Sequence, residues 1–169
     1  MQLDPTEFPA YFGTYITLTN TDTPLVEELQ TSFDKSIQYL RSIEESKKDF
    51  AYEQDKWTIG QVMQHLIDVE LMMAHRVFRI SRKDDTDLPG FDHTAFAAVA
   101  DISQKSLADL CKELMQARDV TNMHFRHLNE KDLAHRGTVS GNTMSIRALG
   151  YILIGHIEHH INIIKERYI

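Results

Sequence analysis

Hydrophobic residues recur at spacings of three and four along four long stretches of the chain, which is the pattern of an amphipathic helix. These predicted helices cover about 24–43, 58–81, 103–128 and 143–169. Thr23 is the predicted N-cap of the first helix, with Pro24 at its first position, and Thr58 is the predicted N-cap of the second. The hydrophobic pattern therefore predicts an all-α protein built as a four-helix bundle.

The segments between these helices differ in length, and their lengths limit the topology. Residues 82–102 connect the second and third helices and contain a predicted short helix at 93–99. A connection of this length can cross the end of a bundle, so these two helices need not be antiparallel neighbours. Residues 129–142 are predicted to form a loop without strands. We expect one domain over 1–169, with residues 1–22 as an extended N-terminal arm.

Composition and charge narrow the class of protein. Of the 169 residues, 42% are hydrophobic and 25% are charged, and the formal net charge is −7. These proportions are typical of a folded globular chain, and an acidic surface without basic clusters disfavours nucleic-acid and anionic-membrane partners. The N-terminus lacks the segments of a signal peptide, and no apolar run has the length of a membrane span. We therefore expect a cytoplasmic protein.

Two histidines on the fourth predicted helix are the strongest candidates for chemistry. His156 and His160 are four residues apart, so they lie roughly 40° apart around the helix and face its apolar side. Such a pair is a common way to hold a transition metal on a helix. The alternative is a pair of core histidines with hydrogen-bond partners. His159 lies at the edge of the polar face, and Glu158 faces solvent, which excludes a zinc-protease arrangement.

The second predicted helix offers a third ligand, His65, at the edge of its apolar stripe. Three neutral imidazoles from two bundle helices leave metal positions open for water or substrate, as catalytic rather than structural sites do. Imidazole suits several divalent transition metals. We expect one such ion, zinc or nickel.

Other polar residues have simpler interpretations. Asp68 is either the acceptor that orients a metal-bound histidine or a solvated carboxylate, and Glu70 is expected to form a structural ion pair with Arg76. The single cysteine, Cys111, excludes an intramolecular disulfide and is expected to be a buried hydrophobic residue. His124 is expected to be partly buried. Surface positions are predicted for His75, His93, His127 and His135.

Three segments of the chain together resemble the DinB/YfiT-like superfamily. Residues 56–70, KWTIGQVMQHLIDVE, resemble the family's second helix, in which a Trp-Ser/Thr cap precedes a metal-binding histidine and then Asp and Glu. Residues 78–82 and 88–92 resemble its helix end and crossover, and 155–160, GHIEHH, resemble its closing helix. The resemblance implies an up-down-down-up four-helix bundle with a long crossover between helices 2 and 3. It carries over His65, His156 and His160 as the metal ligands.

The resemblance also suggests a reaction, since some relatives are bacillithiol S-transferases or a mycothiol-dependent maleylpyruvate isomerase. The leading hypothesis is a metal-dependent transferase that joins a low-molecular-weight thiol to an electrophilic small molecule. The alternatives are a metal-activated hydrolase and a non-catalytic metal-binding stress-response module.

A homodimer is expected, with the aromatic residues of the N-terminal arm covering a helix face. These residues are Phe8, Tyr11, Phe12 and Tyr15. Contact of the same residues with the protein's own helices is the open alternative.

Overall fold

The computed structural model describes residues 3–169 and contains four long helices, which confirms the all-α prediction. The long helices are α2 (Leu25–Arg41), α3 (Ile59–Ser81), α5 (Leu107–Phe125) and α7 (Ile146–Arg167), and the short ones are α1 (Gly13–Ile16), α4 (His93–Val99) and α6 (Glu130–Leu133).

Most of the long helices begin where a side chain caps them. The Thr58 hydroxyl accepts a hydrogen bond from the Gln61 amide, and the Gln61 side chain accepts one from the Thr58 amide. Ser106 caps α5 in the same reciprocal way. The predicted start of α2 was one residue early, because Pro24 has an extended ψ of 134° and is itself the N-cap.

A β-hairpin occupies part of the segment that was predicted to be a loop. Strands β1 (Arg136–Val139) and β2 (Asn142–Ser145) pair antiparallel. Ser140 and Gly141 connect them with φ values of 51° and 73°, as the tight turn of a two-residue hairpin requires. The crossover before α5 is tied to this hairpin, since the Leu88 amide donates to the Thr138 carbonyl.

The N-terminal arm contains short helical turns rather than an extended chain from residue 3 onward, which corrects the prediction, and residues 1–2 of the predicted arm lie outside the described residues. Single turns of 3-10 helix at Pro5–Glu7 and Ala10–Phe12 precede α1. Asp4 and Glu7 cap the first turn reciprocally, and Pro5 has a φ suited to its first position. In residues 15–19 the amides of Thr17, Leu18 and Thr19 donate to the carbonyls of Gly13, Tyr15 and Ile16, so helical turns form there in spite of the local β-propensity.

Contacts between α3 and α5 show that these two helices run parallel. The Lys105 ammonium, just before α5, donates to Gln64, and His124 near the end of α5 stacks on Phe78 near the end of α3. Between these two points the Arg118 guanidinium pairs with Glu70. The numbering of both helices therefore increases in the same direction.

The remaining contacts fix the order of the bundle. The Tyr168 hydroxyl donates to the Trp57 carbonyl and His156 meets His65, so α7 is antiparallel to α3. Tyr151 donates to Thr23 at the start of α2, and Lys165 lies over Tyr39 near its end, so α7 is parallel to α2. The predicted up-down-down-up bundle is confirmed.

The hydrophobic core is divided into two clusters along the length of the bundle. On α3, residues up to Ile67 belong to one cluster and residues from Val69 onward to the other. On α7 the same boundary falls between Ile154 and Ile157. His65 and His156 lie at or beside this boundary, so polar side chains occupy the gap between two apolar layers.

Candidate metal centre

The three histidines singled out from the sequence come together between α3 and α7. The Nε2 atom of His156 lies 3.0 Å from Nε2 of His65 and 3.2 Å from Nε2 of His160. One nitrogen from each of the three rings lies within 4.8 Å of the others. His65 and His156 are buried, whereas His160 is half-buried. The antiparallel pairing of α3 with α7 produces this convergence, and the one-turn spacing on α7 supplies two of the three rings.

Burial keeps these imidazoles neutral. Desolvation is the main cause of a lowered pKa at each of them, and the charge of neighbouring histidines adds to it. The pKa falls to about 4 at His65 and about 3 at His160, and well below the ordinary value at His156. All three rings therefore carry a free lone pair at pH 7, which is the state that coordinates a metal.

The spacing of the three nitrogens suits a transition-metal ion. Zinc binds imidazole nitrogen at about 2.05 Å, which places two ligands of a tetrahedral ion roughly 3.3 Å apart. The 3.0 and 3.2 Å separations around His156 are close to that value. Each neutral imidazole has one N–H donor and one lone-pair acceptor, so three rings that face one another cannot all donate to one another at this point. A cation among them would satisfy the lone pairs that face one another.

Aromatic residues from outside α3 and α7 surround the triad. Trp57 packs against His65 with ring centroids 4.9 Å apart. Tyr15 meets His156 edge to face at 5.5 Å and lies 5.3 Å from His159. Burial raises the pKa of Tyr15, so its hydroxyl is protonated at pH 7 and can donate a hydrogen bond into the site.

The N-terminal arm reaches the triad because Gly155 lets its backbone approach α7. A Cβ atom on Gly155 would lie 2.0 Å from the Tyr15 carbonyl oxygen. The arm is also anchored by Glu7, which is 2% exposed and accepts a hydrogen bond from Arg147 at 2.6 Å. These two contacts hold Phe8, Phe12 and Tyr15 on the protein's own core, which is the second of the two placements expected for them, whereas Tyr11 is 64% exposed. The homodimer stays a prediction.

Gly155→Ala is expected to destabilise the protein by about 1–3 kcal/mol, because the added methyl group overlaps the backbone of the arm. Urea unfolding measures the free energy, and limited proteolysis at the N-terminus reports release of the arm. Gly13→Ala is the matched control, since its Cβ would meet nothing within 4 Å. Equal effects of the two substitutions would contradict the role given to Gly155.

A cavity of about 490 Å³ adjoins the triad and has the size of a small-molecule site. Its polar lining residues other than the triad include Tyr15, Arg76, His93 and His159. Among residues 3–169, no Asp, Glu or Lys lines it. The cavity is therefore largely apolar and aromatic, with imidazoles at one place on its wall.

Three residues of this cavity were missed by the sequence analysis. His93 is exposed as predicted, yet its ring lies 5.8 Å from that of His65. Tyr15 arrives from the distant arm, and no local pattern marks it. Arg76 follows Val69 and Met73 at helical spacing, so it lies on the apolar face of α3. A charged residue at such a position was a signal that the sequence offered.

The carboxylates near His65 have partners outside the triad. Asp68 accepts a hydrogen bond from Gln64 on the same helix at 2.9 Å. Glu70 forms a buried ion pair as predicted, but its partner is Arg118 of α5 rather than Arg76, and Thr121 also donates to it. Because α3 and α5 pack in parallel, α5 presents its arginine to the face of α3 that carries Glu70.

Cys111 and His124 lie away from the cavity. Cys111 is buried, and burial raises the pKa of its thiol, as expected of a residue that fills space. His124 is half-buried on the ring of Phe78. Neither residue lines the cavity beside the triad.

The up-down-down-up bundle, the convergent histidines and the adjoining cavity together define a helical-bundle protein with a candidate metal site. The family model of the DinB superfamily matches residues 28–164. The chain belongs to the DinB superfamily.

A solved structure with a similar fold is that of YfiT from Bacillus subtilis, described as a probable metal-dependent hydrolase with an unusual four-helix bundle topology. The two chains are 16% identical with a TM-score of 0.67, over 98% of this chain and 90% of YfiT. At this identity the similarity shows the shared fold. A search of curated proteins finds no match. Among the described residues, no helix combines the length and apolarity that crossing a membrane requires.

Proposed function

We propose that this protein is a metal-dependent enzyme in which His65, His156 and His160 hold a divalent transition metal, zinc or nickel, beside a small-molecule cavity. The observation that carries the proposal is the convergence of three neutral imidazoles on one point of the cavity wall. An ion held there would lower the pKa of a coordinated thiol or water and polarise an electrophile. Three protein ligands leave room for such a substrate.

The leading reaction within this proposal is the transfer of a low-molecular-weight thiol to an electrophilic small molecule. A thiol has an ordinary pKa of about 8.5, far below that of water, so a metal-bound thiol needs less help from a protein base than a metal-bound water does. No carboxylate lines the cavity among residues 3–169, so a base for the attack of water would have to be an imidazole. The apolar, aromatic lining suits the body of a small organic electrophile.

Hydrolysis is the second candidate, and the description of YfiT as a probable metal-dependent hydrolase favours it. In this chain the proton of an attacking water would pass to an imidazole outside the triad. His93 and His159 both line the cavity and are the available acceptors.

One electrophile offered to both nucleophiles separates these reactions. We expect the untagged protein, after elemental analysis for bound metal, to consume 4-nitrophenyl acetate faster when a thiol is added and to form the thioester. The panel is cysteine, coenzyme A, bacillithiol, mycothiol and glutathione. Thioester formation above the rate without protein supports the transferase, and formation of acetate alone above that rate supports the hydrolase. No turnover by metal-loaded protein on any electrophile of a wider panel would favour the non-catalytic module.

Cys111→Ser is the matched control for the thiol assay, because it removes the protein's own thiol. We expect this variant to keep the wild-type rate, since Cys111 is buried outside the cavity. His160→Ala is expected to reduce the rate to that of the uncatalysed reaction. A loss of activity in Cys111→Ser with intact folding would contradict the assignment of the reaction to the triad.

A further inference from the structure

Arg76 is a buried cation without a counter-ion. Arg76 is 5% exposed. Within residues 3–169, no carboxylate lies within 4 Å of its guanidinium. Nη2 donates to the Pro89 carbonyl at 3.1 Å, and Nη1 approaches the Met73 sulfur at 3.5 Å, a weak acceptor. Nε has no hydrogen-bond partner. A buried charge in this state is costly unless something else pairs with it.

Arg118 is also a buried arginine, but its guanidinium has a complete set of partners within the protein. Arg118 is 1% exposed, forms an ion pair with Glu70, donates to the Leu29 carbonyl and lies over the ring of Phe33. Its role is explained by contacts within the protein. Arg76 lacks the equivalent carboxylate and, unlike Arg118, lines the cavity beside the triad.

The cavity connects Arg76 with the histidines. Arg76 follows His65 by eleven residues, which is about three helical turns, so both residues lie on one face of α3 roughly 16 Å apart along its axis. Val69 and Met73 lie between them and also line the cavity. A molecule in the cavity can therefore meet the guanidinium at one end and the triad at the other.

The charged residues that line the cavity indicate which class of ligand it can bind. Within the described part of the chain, Arg76 is the one Lys or Arg that lines the cavity, and no acidic residue opposes it. Tyr11, Phe12 and Phe91 also line the cavity. One guanidinium matches the single charge of a carboxylate, and it presents paired N–H donors to it. A phosphate dianion would leave charge unpaired in an apolar space.

We propose that Arg76 binds the carboxylate of an organic acid whose apolar body lies along the cavity and whose reacting end reaches the triad. This inference deepens the proposed function, because it names the substrate class of the same site. A carboxylate at Arg76 would satisfy donors that the fold leaves open and would orient the substrate along α3.

Calorimetric titration of the full-length protein with 4-phenylbutanoate and with neutral 4-phenylbutanamide tests the proposal. We expect the acid to bind roughly 10- to 100-fold more tightly than the amide, the preference typical of a hydrogen bond between charged groups. Arg76→Met is expected to remove this preference and leave amide binding unchanged. Arg82→Met, the same change at an exposed residue that follows the same helix, is the matched control and should keep it.

Equal affinities for acid and amide in the wild type would overturn the proposal, and this comparison does not depend on a variant that folds. Tighter binding of 3-phenylpropyl phosphate would overturn the choice of a carboxylate, and so would absence of acid binding at millimolar concentration. If folded Arg76→Met, as judged by circular dichroism, still binds the acid more tightly than the amide, the proposal is overturned.

Binding of the acid directly to a metal is distinguished by repeating the titrations in His156→Ala. We expect the acid preference to persist there, because it comes from Arg76 rather than from an ion at the triad. Its loss in His156→Ala together with its survival in Arg76→Met would overturn the proposal. Failure of the proposed metal-dependent reaction would leave the acid preference intact, so the two failures are distinguishable.

Discussion

Replacing His156 with alanine is expected to remove the metal while the helical bundle stays folded. The Nε2 atom of His156 is the central one, since it lies within 3.2 Å of the corresponding atoms of both His65 and His160. Loss of an outer partner of a metal ligand already weakens binding about 10- to 100-fold, and loss of a ligand is expected to exceed that. Elemental analysis gives the metal stoichiometry, and circular dichroism reports the fold. His65→Ala and His160→Ala are expected to behave in the same way.

His159→Ala is the matched control for this experiment. It removes an imidazole from the same turn of α7, but the His159 ring packs on Tyr15 and is not part of the triad. We expect most of the metal to remain bound in this variant. If His159→Ala empties the site while His160→Ala does not, the ligand pair on α7 is misassigned. If no histidine substitution changes the metal content, the triad consists of core residues.

Glu70→Gln is expected to destabilise the protein by about 3–5 kcal/mol, because it removes the charge partner of an arginine that stays buried. Glu70 and Arg118 are 2% and 1% exposed, and the Thr121 hydroxyl also donates to Glu70 at 2.7 Å. Urea unfolding measures the change in free energy, and the metal content of the folded protein is expected to change little.

Asp84→Asn is the matched control, since it breaks the ion pair of Asp84 with Arg79 at the end of the same helix. Both of these side chains are 28% exposed, so solvent screens the pair and the substitution is expected to cost much less than Glu70→Gln. Similar losses of unfolding free energy in Glu70→Gln and Asp84→Asn would show that burial does not determine the role of Glu70. A large loss of metal from folded Glu70→Gln would place Glu70 in the metal centre instead.

Local sequence determined the elements and the chemistry that one helix can present. The spacing of apolar residues and the N-cap residue Thr58 predicted α3, and the spacing of His156 and His160 placed both rings on one face of α7. The Ser140-Gly141 turn was a readable signal that the prediction of a loop overlooked. These features depend on neighbours within a few residues, so they can be read from the chain itself.

Tertiary structure decided which faces meet. Glu70 pairs with Arg118 rather than Arg76 because α5 packs parallel to α3 and brings a residue 48 positions away. Tyr15 reaches the triad because Gly155 admits the backbone of the arm. Arg76 has no ion pair within residues 3–169, because no carboxylate of another described element lies beside it. Hydrophobic periodicity shows which face of a helix is buried but not what covers it, since the covering residues come from distant parts of the chain.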